Sequence, residues 1–170
     1  GALEGVAADV RHYASQILAN VDRRLEKHYP ARAGETPIAW IWGRTARCSN
    51  PVCGADTVLA TTWWLSRKPG ELAWIVPEVS DGRVQFSVMS GERSGGPGDA
   101  PKASRGANFN CLVCRALLDE NALIEQGRDG EIGYRLLAVV ATVNGRRIYR
   151  APDPGEEEAA MGAPIPDEIP

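Results

Sequence analysis

Cys48-Ser49-Asn50-Pro51-Val52-Cys53-Gly54 and, further along, Cys111-Leu112-Val113-Cys114 are the stretches that decide how this chain is read. Each places two thiols on one short turn, with four residues between them in the first and two in the second. Pro51 shapes the first turn and Gly54 stands behind it. Such spacings aim both sulfurs of a turn at a common point, and two turns together complete the tetrahedron of sulfur that Zn²⁺ accepts at about 2.3 Å. These are all the cysteines of the chain, so none is left over. A full shell of four thiolates leaves no position for water, so the expected ion is structural and not catalytic. Two disulfides and four free thiols are the competing readings. Iron in the same four sulfurs is another.

The 57 residues between the two turns read as β structure and loops. Ile38 to Trp42 leads into the first turn. Thr57 to Leu65 and Ala73 to Val79 are rich in β-branched and aromatic residues. Asp81-Gly82 then precedes Arg83 to Val88, where Val84, Phe86 and Val88 alternate with polar residues, which predicts a hairpin. Pro77 inside its strand predicts an edge position, because proline cannot donate to a ladder. Residues 90–106 are glycine-rich and aperiodic and read as a mobile surface loop; with no strand running into Ser94 to Asp99 and no helix opening after it, they are not a phosphate cradle.

After the second cysteine pair, Ala116 to Gln126 reads as a short amphipathic helix burying Leu117, Leu118, Ala122 and Ile124. Arg135 to Val143, the turn Asn144-Gly145 and Arg146 to Tyr149 predict a second hairpin with a type I′ turn. Upstream, Leu3, Val6, Val10, Tyr13, Ile17, Val21 and Leu25 recur at three- and four-residue steps and predict one long helix with an apolar stripe. Pro30 ends it. A stripe of this length must pack on the rest of the chain or on a partner. The expected organisation is therefore an N-terminal helix over 1–30, a zinc-ribbon α+β domain over 31–150, and an acidic Pro-rich linker or disordered tail over 151–170. The fold class is α+β: a long N-terminal helix on a small, mostly antiparallel sheet.

Composition bounds the function. At 170 residues, 44% apolar and 24% charged, the chain is an ordinary globular protein. No stretch reaches the roughly 18 apolar residues that span a bilayer. Four cysteines without a secretory leader point to the reducing cytoplasm. The net charge of −3 hides an asymmetry: residues 151–170 hold six acids and no lysine or arginine, so 19 basic residues face 16 acidic ones elsewhere. A body near +3 is well short of a dedicated nucleic-acid binder.

Arg44, Arg47, Arg67, Lys68, Lys102 and Arg105 surround the cysteine turns in sequence. They are either a solvated face or a surface that contacts phosphates. The two histidines, His12 and His28, sit sixteen positions apart and read as surface or packing residues, not ligands. No catalytic triad or paired carboxylates stand out. Of the five tryptophans, core packing accounts for most; Trp63 or Trp64 is the candidate for an exposed ring meeting a partner.

Three runs carry a family resemblance: Asp9-Val10-Arg11-His12-Tyr13 through to His28-Tyr29-Pro30, Ile38-Ala39-Trp40-Ile41-Trp42-Gly43-Arg44-Thr45 into Cys48 to Ala55, and Trp64-Leu65-Ser66-Arg67-Lys68. In that order they resemble the zinc-ribbon-containing adenine-specific DNA methylases of prokaryotes, over most of residues 6–150. The resemblance implies a parent enzyme that uses S-adenosylmethionine, with this ribbon lying between its cofactor-binding motif and its Asp-Pro-Pro-Tyr catalytic motif. Neither motif is in this sequence, since Asp153-Pro154 is followed by Gly155-Glu156. Arg115 also stands where such turns often carry glycine. The expectation is an excised inserted domain or a stand-alone relative, inactive alone, that assists DNA binding. The alternative is a protein-interaction module for partner subunits of a phage-defence or restriction-modification complex.

Overall fold

A computed structural model describes residues 2–91 and 96–164, with side chains from Glu4 onward. Ser94 and Gly95 of the glycine-rich segment, the Leu3 side chain, and Asp167 and Glu168 of the tail lie outside the described residues. The chain forms two compact units, Gly1–Ala33 with Asp153–Pro170, and Gly34–Pro152.

The first unit contains α1 (Ala2–Leu25) and a short helix near the other end of the chain. Within it the α1 stripe is open, with Val10, Tyr13 and Ile17 each over 60% exposed. His28, just past the helix, is buried and its Nδ1 meets the Ala159 carbonyl oxygen at 3.0 Å. Arg32 pairs with Asp153. The stretch read as a linker thus carries a helix over Glu156–Met161. Three successive glutamates in its first turn complement the helix dipole, and the Glu156 carboxylate accepts the Asp153 N–H at 2.6 Å. Low apolar content hid this segment, in which Glu156 and Ala160 are buried.

The second unit is built on β1 (Thr36–Arg47), β2 (Asp56–Val58), β3 (Trp64–Ser66), β4 (Ala73–Ser80), β5 (Arg83–Ser90), β6 (Phe109–Asn110), β7 (Leu117–Leu118), α2 (Glu120–Arg128), β8 (Gly133–Val143) and β9 (Arg146–Arg150). These make three antiparallel sheets in place of the single one expected: β2-β1-β8-β9, β3-β4-β5 and β6-β7. Both hairpin turns follow the sequence: Asp81 and Gly82 have φ of 51° and 72°, and Asn144 and Gly145 have 49° and 75°. These are the left-handed values a type I′ turn requires.

Three differences from the sequence reading have physical causes. Thr57 to Leu65 breaks into β2 and β3, which belong to different sheets. Trp63 turns inward at the break, 1% exposed, with its indole N–H on the Asp99 carbonyl. Pro77 lies on the middle strand of its sheet, yet β3 pairs β4 only at Ala73 and Trp74, so beside Pro77 the ladder is one-sided. Helix α2 starts at Glu120, four residues later than expected, because the Asp119 carboxylate caps it by accepting the Ala122 N–H at 2.9 Å. Leu117 and Ile124 are consequently 53% and 44% exposed, whereas Leu118 and Leu123 are buried.

Two apolar clusters hold this unit together. One gathers Ala46, Cys48, Phe109, Cys111, Leu118 and Leu123; the other gathers Val58, Trp63, Ile75, Leu112 and Leu137. Cys111 and Leu112, consecutive in sequence, fall one into each. Burying a side chain such as Leu112 contributes about 1.5–3 kcal/mol, which anchors the turn that carries the second cysteine pair.

Candidate metal centre

Each cysteine pair sits at the tip of a hairpin. The first turn joins β1 to β2, paired as Arg47↔Asp56 and Ala46↔Thr57. The second joins β6 to β7, paired as Asn110↔Leu117 and Phe109↔Leu118. The two turns repeat the same backbone design. The Cys48 N–H donates to the Ala55 carbonyl at 2.9 Å, and the Cys111 N–H to the Ala116 carbonyl at 2.8 Å. In both, the acceptor lies two residues past the second cysteine. The residue just after that cysteine is left-handed in both: Gly54 at φ 57° and Arg115 at φ 64°. Arg115 therefore replaces glycine without altering the turn, at the cost of a conformation that disfavours a Cβ. Asn50 shapes the longer turn: its Oδ1 accepts the Val52 N–H at 3.0 Å, and its own N–H points at Cys48 Sγ from 3.4 Å.

The four Sγ atoms all lie within 4.8 Å of one another. Cys48 and Cys114 are 3.5 Å apart, and Cys53 and Cys111 are 3.9 Å apart. Sulfurs at the corners of a tetrahedron with bonds of about 2.3 Å stand about 3.8 Å apart. A disulfide needs about 2.05 Å, and all four cysteines are free thiols. The donor set thus fits one ion in a closed shell of sulfur.

Protonation follows from the surroundings. Burial pushes the Cys48 thiol up to about 12, against a hydrogen bond from the Asn50 backbone that lowers it. For Cys53 a hydrogen bond from the Ala55 backbone lowers the value, but burial and the neighbouring sulfurs together raise it. Cys111 goes the other way. Burial opposes its ionisation, yet the backbone of Cys114 and Val113, the Thr57 hydroxyl and Cys48 bring it down to about 7. One thiolate is therefore accessible near neutrality, and a cation is needed to draw the protons from Cys48 and Cys53.

The supports around the sulfurs were not legible beforehand. Thr57, fully buried, accepts the Leu112 N–H at 2.8 Å through its Oγ1 while its hydroxyl serves Cys111. Gln126 on α2 clasps the backbone of Arg47 from both sides, accepting its N–H at 2.8 Å and donating to its carbonyl at 3.0 Å. A lone threonine in a strand and a glutamine on a helix have no sequence signature for such work.

The six basic candidates are dispersed. Arg44 and Lys102 line one groove of about 900 Å³ beside the cysteine turns. Arg67 rests over the Trp64 ring, 5.6 Å from its centroid, and Trp64 lines the same groove. Lys68 is tied to Glu71 at 2.6 Å, while Arg47 and Arg105 are exposed and do not line the groove. Trp64 is half-buried, so of the two candidate rings it is the accessible one. His12 is exposed beside Gln16, and neither histidine joins the sulfur cluster. No helix among the described residues is long and apolar enough to cross a membrane.

No protein-family model, curated protein or solved structure matches this chain.

Proposed function

We propose that this chain is a cytoplasmic zinc-ribbon accessory domain of an S-adenosylmethionine-dependent, adenine-specific DNA methyltransferase. In this reading it helps hold or select DNA while another part of the enzyme transfers the methyl group. The observation that carries the proposal is the convergence of four sulfurs within 4.8 Å at the tips of two matching hairpins, which supports a ribbon. Zinc is the ion of choice for a closed four-sulfur shell, and binding it joins hairpins that lie far apart in sequence, so the ion adds to folding stability. The methyltransferase part rests on the sequence resemblance, and the DNA part on Arg44 and Lys102 in the lining of one groove, with Arg67 over its Trp64 ring.

Elemental analysis of the purified chain, with thermal melts before and after chelation, tests the metal. One zinc per chain and a melt lowered by the chelator are the expected results; iron in its place overturns zinc as the ion, and no metal with an undiminished melt sinks the ribbon. DNA binding that weakens with rising salt tests the rest, since phosphate contacts release counterions. Methyl transfer to adenine by this chain alone would contradict an accessory role.

A second reading, a protein-interaction module within a restriction-modification or phage-defence complex, is favoured by one observation. Val6, Val10, Tyr13 and Ile17, at helical spacing on α1, are 59%, 62%, 63% and 63% exposed. Salt-insensitive capture of a partner subunit, without DNA binding, is the result that would favour it.

A further inference from the structure

We infer that the groove beside the metal centre takes unpaired nucleotides, and that the chain binds single strands in preference to duplex. The inference rests on the nucleic-acid reading above and sharpens it. The groove exists because β2 covers β1 only over Thr45–Arg47, so beside Trp42 to Arg44 that edge of β1 carries no strand among the described residues. The Leu59 N–H donates to the Arg44 carbonyl at 2.8 Å, and the chain then swings away to Trp64 in another sheet. The recess left between them is about 900 Å³, with Trp42, Trp64 and Phe109 along it and Ile124 of α2 among its lining.

Its chemistry alternates in the manner of a nucleic-acid strand. The interior is aromatic and aliphatic. Cations stand at or near it: Arg44 is exposed and pairs with no acid among the described residues, the Lys102 ammonium donates to the Gly106 carbonyl and lies 4.6 Å from the Phe109 ring centroid, and Arg67, outside the lining, lies over Trp64. Glu120 is the one acid in the lining. A base in a duplex has both faces stacked and its edge paired, so it cannot lay its ring into an apolar recess. An unpaired base can, while its phosphates remain with the cations outside.

The test uses the full metal-loaded chain with fluorescein-labelled (dT)15 and a 15-base-pair duplex of mixed sequence, followed by anisotropy at low and moderate salt. The single strand should bind at least about 10-fold tighter than the duplex and quench tryptophan emission. Ile124→Glu, which sets an acid in the groove at an exposed position, should weaken strand binding about 10-fold, and Arg44→Glu should do likewise, with melts unchanged. Lys102→Gln, which removes the charge and shortens the side chain by one atom, should weaken strand binding about 3-fold. Duplex bound as tightly as the strand, with Ile124→Glu without effect, overturns the inference and leaves the DNA reading standing. No binding to either probe overturns both. Equal displacement by a poly-glutamate decamer means the groove answers to acidic chains and not to bases, and that also overturns it.

Discussion

Replacing Thr57 by valine keeps the volume and branching of a fully buried side chain and removes only its hydroxyl. Two interactions then go. The Leu112 N–H, which donates to Thr57 Oγ1 at 2.8 Å, is left without that acceptor in a buried setting, and such an orphan costs about 1–3 kcal/mol. Cys111 loses the hydroxyl that helps hold its value near 7, so its thiolate becomes less available. Outer partners of metal ligands are typically worth about 10–100-fold in affinity, which corresponds to about 1.4–2.8 kcal/mol and agrees with the first figure. The assay is zinc transfer to a chromophoric chelator, with Thr57→Ser as the control that retains a hydroxyl. Melts followed by tryptophan emission report the right unit, since all five tryptophans lie within Gly34–Pro152. Zinc affinity within about twofold of the parent chain and an unshifted melt would refute the reasoning.

Arg115→Gly should stabilise the metal-loaded chain by about 1 kcal/mol, because it removes a Cβ from a residue held at φ 64°; a lowered melting temperature would contradict this. Gly43→Ala should destabilise by about 1–3 kcal/mol, since its Cβ would stand 2.7 Å from Val58 Cγ1 and 2.9 Å from Leu137 Cδ1; urea denaturation measures it. Zinc uptake at pH 7.4 should release at least two protons, because Cys48 near 12 and the raised Cys53 both hold theirs in the absence of metal. Affinity should therefore rise with pH, and fall more steeply below about 7, where Cys111 is protonated too; calorimetry in buffers of different ionisation enthalpy reads the proton count.

Local features were legible in the amino-acid sequence. Two short cysteine spacings named the four sulfurs, Asp81-Gly82 and Asn144-Gly145 named the hairpin turns, and the stripe from Val6 to Leu25 named the long helix. Each is a short-range signal, set by which residues tolerate left-handed backbone or recur every three or four positions. Whatever depends on residues distant in sequence came from packing, and the folded chain shows it. It split Thr57 to Leu65 between two sheets, because Trp63 had a core to enter. It brought Arg44 and Lys102 to one groove and left Arg47 and Arg105 out of it. It gave Thr57 its place between Leu112 and Cys111, 54 positions further along for the cysteine. A hydroxyl's partner is fixed by packing and not by its neighbours in the chain, so the sulfurs could be read from the sequence but their supports could not.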